Sequence, residues 1–227
     1  MSGMEIPLFI SLIFTSLAAY TDIRRKIIPN KITYPMIAFG IIYHGVSGAV
    51  RGEIWEIFAG ALGAIAAFIL GIALYSIGGW AGGDVKLFTG LGALLPFTTG
   101  SPYPLFISVL FNSVILTVFS LPFFAIIRRR KGIFYQTVHV DDLKEGMIPA
   151  ETIAHQGKVY GDPKRAAGLT RYEVREIKRL AYEGKIPKRI RVKIGTPFAP
   201  ILFAGLVLAV IIGDIYWALI SRFLEFT

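Results

Sequence analysis

Long apolar runs separated by short polar connections dominate the chain. Runs with few charged residues lie at about 6–20, 32–50, 54–77, 85–97, 104–127 and 197–221. A straight helix needs roughly 17–25 predominantly apolar residues to cross the hydrocarbon core of a bilayer. The first run is short for this purpose and the fourth ends near Pro96, but the pattern as a whole predicts six transmembrane helices.

One sizeable polar segment interrupts the pattern between the fifth and sixth runs. Thr170 and Glu173 have the spacing of a capping box, which predicts a helix that Gly184 and Pro187 close. The earlier stretch FYQTVHVDD predicts a short strand followed by a turn. The predicted fold is an all-α polytopic membrane protein with a small α+β insert. Its parts are a membrane domain (1–127), a cytoplasmic insert domain (128–196), and the sixth transmembrane helix with the C-terminus (197–227).

Composition supports this fold class. The chain is 54% hydrophobic, its mean hydropathy is +0.61, and only 17% of its residues are charged, as expected for a membrane protein. It has no cysteine and three scattered histidines, which excludes disulfide frameworks, thiolate zinc sites and cysteine nucleophiles. The N-terminus lacks the basic region of a cleaved signal peptide, so we expect the first apolar run to be retained.

The distribution of basic residues predicts the orientation in the membrane. If the N-terminus lies outside, the connections 21–31, about 78–86, and 128–196 lie inside and contain 22 of the 24 Lys and Arg residues, leaving Arg51 and Arg222 outside. Basic residues accumulate on the cytoplasmic side of membrane proteins. We therefore expect a multi-pass protein of the cytoplasmic membrane with both termini outside, and we read the net charge of +9 in this way rather than as a sign of nucleic-acid binding.

Three aspartates close to the membrane are candidates for function, because ionisable groups at membrane depth are costly. Asp22 lies at the cytoplasmic end of the first run and Asp84 at the cytoplasmic start of the fourth. Counting helices therefore places both carboxylates at the same membrane face, although it does not bring them to the same place. Asp214 lies towards the outer part of the sixth run, where we expect a structural hydrogen bond to a neighbouring helix.

Two carboxylates that meet share a proton and titrate as a pair. The ionised member acts as a general base on water and the protonated member as a general acid, which is aspartic proteolysis without metal or cofactor. The glycines of GGWAGGDVKLF, at 78–88, would then leave space for a substrate backbone. Each aspartate also has an ordinary interpretation: Asp22 as flanking polarity offset by Arg24 or Arg25, and Asp84 as a first-turn acid at a helix N-terminus.

Several other features have structural interpretations. Gly63, Ala67 and Gly71 lie four residues apart and predict a close packing face between helices. Tyr20 and Trp80 near the inner interface are typical of an aromatic belt.

The insert offers two surfaces of interest. The basic run over 188–193 precedes the sixth helix and is suited to anionic headgroups. The acidic residues Asp141, Asp142 and Glu145 form either a receptor for a basic peptide or an ordinary solvated turn, and we favour the turn.

The two aspartate motifs resemble those of a known family. Asp22 in DIRRKIIPN resembles the first catalytic motif of type IV prepilin peptidases, an aspartate followed shortly by Ile-Pro-Asn. Asp84 in GGDVKLFTGLGALL resembles their second motif, GxGD followed by x-Lys. Six helices, two aspartates at one face and a polar insert before the last helix are similar to archaeal preflagellin and prepilin peptidases in particular.

This resemblance implies an endopeptidase that removes short basic leader peptides from archaellin or pilin precursors at the cytoplasmic membrane face. Asp22 and Asp84 would be the catalytic pair, and Gly82, Gly83 and Lys86 would bind substrate or shape the loop; Lys86 would tune the pair or mark the interface.

One residue departs from the motif and one part of the family's pattern is missing. Ala81 stands where the first glycine of GxGD is expected, which puts the local backbone conformation in doubt. Bacterial relatives often carry a cysteine-based zinc domain and methylate the new amino terminus. The chain has no cysteine, so we expect peptidase activity without methyl transfer.

Three other functions fit parts of the sequence. Presenilin-type and signal-peptide-peptidase-type proteases also use GxGD, but they resemble nine-helix chains with a Pro-Ala-Leu motif that is missing here. A proton- or cation-coupled transporter would use Asp22, Asp84 and Asp214 as an ion path, yet the two halves of the chain show no repeat. A nucleic-acid-binding insert would need aromatics interleaved with arginines on one face. The sequence does not specify the oligomeric state.

Overall fold

The computed structural model describes residues 4–78, 80–97, 100–131, 135–165, 168–193 and 197–225, and for 121–131 and 225 it describes the backbone only. The helices are α1 Glu5–Arg25, α2 Asn30–Arg51, α3 Ile54–Ser76, α4 Gly82–Leu94, α5 Leu105–Lys131, α6 Arg171–Tyr182, α7 Ala199–Ile211 and α8 Ile215–Glu225. The strands are β1 Tyr135–His139, β2 Ile153–His155, β3 Lys158–Gly161 and β4 Arg189–Lys193. Contacts divide the chain into a membrane unit, Met1–Leu121 with Pro197–Thr227, and an insert unit, Pro122–Thr196.

The turn between α1 and α2 is made by the first aspartate motif. Lys26 has a left-handed backbone conformation (φ 55°) and its N–H donates to the carbonyl of Asp22 at 2.9 Å, which ends α1. Pro29 then adopts an extended conformation and α2 begins at Asn30. Since proline cannot continue a helix from the preceding turn, Ile-Pro-Asn in this motif is a helix start.

The small residues of α3 pack against α4. A side chain on Gly63 would collide with the backbone of Gly92, and one on Gly71 would come within 3.0 Å of Val85. Ala67 in turn lies where a side chain on Gly92 would point. The predicted packing face is confirmed, and it buries α4, in which every residue from Asp84 to Leu94 except Lys86 is buried.

The described helices bear out the membrane prediction in part. α1 and α3 are each long and apolar enough to cross a membrane, and α7 with α8 adds a third candidate if this bent pair is one span. In the described part of the chain, α4 has 13 residues and the apolar part of α5 covers Leu105–Ser120. The protein is thus mostly helical with two to three candidate spans, and the number six stays a prediction.

The continuous sixth helix predicted over 197–221 is wrong. α7 ends at Ile211, α8 begins at Ile215, and the two are bent by 56°. Gly213 at the break has a φ of 93°, which favours glycine. The Asp214 carboxylate caps α8 by accepting from the Trp217 N–H at 2.8 Å.

The insert unit has its own apolar core. β1 pairs antiparallel with β4, and β2 with β3 forms a hairpin. The Thr170 hydroxyl accepts from the Glu173 N–H at 3.3 Å, while the Glu173 carboxylate accepts from the Thr170 N–H at 2.8 Å. The predicted strand, turn and capped helix are confirmed. The buried core contains Val138, Val140, Leu143, Tyr160, Leu169, Val174, Ile177, Leu180, Ile190 and Val192.

Candidate active site

Asp22 lies one turn before the end of α1 and is 7% exposed. Its carboxylate accepts a hydrogen bond from the backbone N–H of Ala199, at 3.1 Å, and interacts with the N–H of Phe198. Both amides belong to the start of α7, whose first N–H groups have no partner within the helix. The positive end of a helix dipole favours a carboxylate at this position.

Asp84 lies in the first turn of α4 and is 5% exposed. Its carboxylate accepts from the Ala81 N–H at 2.9 Å, and its own N–H donates to the Ala81 carbonyl at 3.0 Å. The first-turn interpretation of Asp84 therefore describes its local geometry correctly. That geometry leaves the carboxyl close enough to Asp22 for the two groups to interact electrostatically.

Counting helices thus placed the two aspartates on one face, and the fold brings them into one neighbourhood. Each carboxylate is held by a backbone amide at the start of a short helix, α7 for Asp22 and α4 for Asp84. Backbone amides hold a carboxylate in place without supplying a full countercharge. Such a pair can hold one proton between two acids.

The glycines around Asp84 have different surroundings. A side chain on Gly83 would come within 3.2 Å of Ile28, whereas one on Gly82 would meet nothing within 4 Å. Gly83 therefore lets the loop approach the first aspartate motif, and Gly82 faces open space. Ala81 has an extended backbone (φ −95°, ψ 161°), a conformation open to any residue, so the missing glycine causes no strain there.

Lys86 connects the second motif to the first. Its Nζ donates to the Asn30 Oδ1 at 2.9 Å and lies 5.6 Å from the centre of the Tyr34 ring. Asn30 is the last residue of the Ile-Pro-Asn stretch and the first of α2. This contact fixes α4 against the start of α2, which favours a loop-shaping role for Lys86.

Trp80 does not lie in an aromatic belt. It is 8% exposed and packs on Phe88 (5.2 Å between ring centres, 78° between planes) and on Phe198 (5.2 Å, 45°). Tyr20, by contrast, is 61% exposed, as a belt residue should be. The sequence did not reveal the buried contact of Trp80 because its partner Phe198 follows the insert, more than 100 residues later. The one available signal was a single large side chain within a glycine-rich stretch.

Asp214 lies apart from the pair. Its carboxylate serves the N-terminus of α8, and Asn112 of α5 spans the same break by donating to the Gly213 carbonyl at 3.0 Å and accepting from the Ile215 N–H at 3.1 Å. The hydrogen bond from Trp217 lies within its own helix, and the carboxyl also interacts with the Tyr103 hydroxyl just before α5. Asp214 is thus a structural acid in this fold.

The acidic turn of the insert is occupied by groups of the insert itself. Asp141 accepts from the Tyr182 hydroxyl, which lowers the pKa of this carboxyl, as does His139. Glu145 accepts from the Arg171 Nε at 2.6 Å. These contacts favour the solvated-turn interpretation over a receptor for a basic peptide. Across the described residues, no group of three or more His, Asp or Glu side chains is arranged to hold a metal ion.

The part of the chain that contains both aspartates is similar to known proteins. Residues 9–121, which include both aspartates, match the type IV leader peptidase family. The chain belongs to this family. The prepilin peptidase EppA of Methanothermobacter thermautotrophicus is 24% identical over an alignment of 375 positions that covers 96% of this chain and 97% of the relative.

Two further relatives match more locally. The preflagellin peptidase of Methanocaldococcus jannaschii is 32% identical over 80 residues, 35% of this chain and 34% of its own. The prepilin leader peptidase/N-methyltransferase of Bacillus subtilis is 37% identical over 98 residues, 41% of this chain and 38% of its own. As a type IV leader peptidase, the chain is a membrane-embedded peptidase of the kind that processes leader peptides. Its insert unit lies outside the family match.

Proposed function

We propose that this leader peptidase is an aspartic endopeptidase that removes the short basic leader from archaellin or type IV pilin-like precursors. The observation that carries the proposal is that two buried carboxylates inside the matched region, Asp22 and Asp84, lie near enough to interact electrostatically. Asp22 and Asp84 are the proposed catalytic residues.

The reaction uses the pair as one acid and one base. The ionised carboxylate takes a proton from a water molecule, and the water oxygen attacks the carbonyl carbon of the scissile peptide bond. The protonated carboxyl gives its proton to the carbonyl oxygen as the tetrahedral intermediate forms. Collapse of the intermediate breaks the C–N bond, and the proton taken from water passes to the leaving amine. No metal or cofactor takes part in this scheme.

The loop residues have supporting roles. Gly83 allows the loop to pack on Ile28, and Lys86 fixes α4 to Asn30. Gly82 faces open space, so it leaves room beside the loop and takes no part in packing the loop against the first motif. The broken α7–α8 pair counts as one span in the proposed six-span topology, with both termini outside and the aspartates at the cytoplasmic face.

Cleavage of a synthetic precursor tests the proposal. Purified protein in detergent is mixed with a peptide that joins a basic leader to a hydrophobic helix, and the products are weighed by mass spectrometry. We expect cleavage by the wild type and a loss of about 10³-fold or more in Asp22→Asn and Asp84→Asn. Asn keeps an oxygen that accepts from the Ala199 or Ala81 N–H, so both variants should fold.

Asp214→Asn is the matched control, because this acid caps α8 and should leave cleavage unchanged. Undiminished cleavage by both Asp22→Asn and Asp84→Asn would exclude the pair. Addition of S-adenosylmethionine to the reaction tests the absence of methyl transfer, and a product heavier by one methyl group would contradict it.

A further inference from the structure

Two aromatic residues stand next to the two amides that hold the carboxylates. Trp80 directly precedes the residue whose N–H donates to Asp84 at 2.9 Å. Phe198 directly precedes the residue whose N–H donates to Asp22 at 3.1 Å. The rings of Trp80 and Phe198 contact each other, with their centres 5.2 Å apart and their planes at 45°.

This contact joins parts of the chain that lie far apart in sequence. Trp80 leads into α4, and Phe198 leads into α7 after the insert. Trp80 is 8% exposed and is supported from another side by Phe88, whose ring meets it nearly edge-on. Trp80 is buried and Phe198 is partly buried against the same core, and closely packed side chains transmit displacements of their neighbours.

We propose that Trp80 and Phe198 are positioning residues that set the separation of Asp22 and Asp84. This inference rests on the proposed aspartic mechanism. A water molecule that gives a proton to one carboxylate and a substrate carbonyl polarised by the other must both fit between the two groups, and displacements of about 1 Å can cost 10²-fold in rate. The two rings hold the amides of α4 and α7, and the amides hold the carboxylates.

The competing explanation is that the two rings only fill the apolar core. Trp80 belongs to a large buried cluster that also contains Phe88 and Phe106, and Phe198 packs against it. Phe106 is 2% exposed and its ring lies 5.6 Å from that of Phe88. It is an aromatic residue of the same core that is adjacent to neither carboxylate-holding amide, so Phe106→Leu is the matched control.

The experiment measures kcat, KM and the midpoint of thermal unfolding for wild type, Trp80→Leu, Phe198→Leu, their double variant, Trp80→Phe and Phe106→Leu. We expect each Leu substitution at 80 or 198 to lower kcat about tenfold or more with KM changed less than about threefold. Trp80→Phe should recover most of the rate because it keeps an aromatic ring. The double variant should be no slower than the worse single variant, because both act through one contact.

Phe106→Leu should lower the unfolding midpoint by as much as the other two while keeping kcat within about twofold of wild type. Equal loss of kcat in Phe106→Leu, or multiplied losses in the double variant, would overturn the proposal. If Trp80→Leu does not fold, the kcat of Phe198→Leu tests the proposal alone. We expect this variant to fold because it keeps an apolar side chain and leaves the Ala199 amide that binds Asp22 in place. Cleavage that depends on Asp22 and Asp84 but not on either ring would overturn this inference alone; no cleavage by wild type would overturn the proposed function as well.

Discussion

The two motif aspartates of the membrane unit and the acidic residues of the insert unit have different kinds of partner. The membrane unit contains seven basic and seven acidic residues, whereas the insert unit contains seventeen basic and eight acidic residues and therefore the whole net charge of +9. In the insert, acids meet charged or hydroxyl side chains: Glu173 with Arg165, Glu145 with Arg171, Asp141 with Tyr182. In the membrane unit, Asp22 and Asp84 each accept from a backbone amide, and the two carboxyl groups interact electrostatically.

Under the proposed function, the difference separates acids that stabilise the fold from acids that carry out the reaction. A carboxylate paired with a guanidinium is ionised over most of the pH range and is a poor proton carrier. A carboxylate held by an amide keeps its second oxygen available, and a neighbouring carboxylate makes transfer of a shared proton easy. We therefore expect substitutions around Asp22 and Asp84 to change peptidase activity strongly, and substitutions of acids in the insert to change it little.

The contact between Lys86 and Asn30 tests the prediction that substitutions near the membrane acids have large effects on activity. We expect Lys86→Met and Asn30→Ala each to lower kcat about tenfold, because either change frees α4 from the start of α2. The double variant should lose no more than the worse single variant. Rates of precursor cleavage check this expectation, with Lys31→Met, a neighbouring exposed lysine, as the control. Multiplied losses would mean that Lys86 acts directly on the pair and not through Asn30.

The two glycines before Asp84 offer a smaller, matched test. A methyl group on Gly83 would lie 3.2 Å from the Ile28 Cβ, whereas one on Gly82 would meet nothing within 4 Å. We expect Gly83→Ala to lower kcat about threefold to tenfold by pushing the loop from the first motif. Gly82→Ala should leave kcat within about twofold, because alanine gains helix propensity at an open site.

Unfolding midpoints separate a local shift from general damage in these two variants. A larger loss of activity in Gly82→Ala than in Gly83→Ala would contradict the loop-packing role assigned to Gly83. It would indicate that substrate contact at Gly82, and not loop packing, limits the reaction.

The smallest effect on activity is expected from Glu173 in the insert. Two hydrogen bonds from Arg165, with the Thr170 cap, lower the pKa of Glu173 from 4.5 to about 2. Because the folded pKa is depressed, the stabilisation is fully present above about pH 4.5 and is lost as the pH falls through about 2. Glu173→Gln should lower the free energy of unfolding of α6 by roughly 1–3 kcal/mol at pH 7. This difference between variant and wild type should shrink towards pH 2.

Hydrogen-exchange protection of residues 171–182 in the full-length protein, corrected for intrinsic rates, measures this difference. Peptidase activity at pH 7 should remain within about twofold of wild type. A difference in protection that does not change with pH would exclude the ion pair as its cause. A large loss of activity in Glu173→Gln would contradict the expectation that acids of the insert contribute to stability and not to catalysis.

Local patterns in the sequence were good predictors wherever the partner was also local. The capping box at Thr170 is set by neighbours within a few residues, and the packing face of α3 is set by side-chain size. Helix counting predicts one membrane face for Asp22 and Asp84 because topology constrains which face a residue reaches, and their electrostatic interaction is consistent with that prediction. The break at Gly213 was missed because the run 197–221 is apolar enough to read as one helix, while the bend is stabilised by Asn112 from α5.

By itself, the sequence determined the family, the membrane class and a basic insert with its own secondary structure, and it predicted two acids on one membrane face. The tertiary structure decided that the two acids lie near enough to interact electrostatically, that α7 supplies the amide for Asp22, and that the rings of Trp80 and Phe198 are in contact. Hydrophobic periodicity reports which residues avoid water, and it carries no information about which distant residues share a contact. The pairing of α1 with α7 and of the glycine loop with Phe198 depends on side-chain fit in the core, and that fit exists only once the helices have packed.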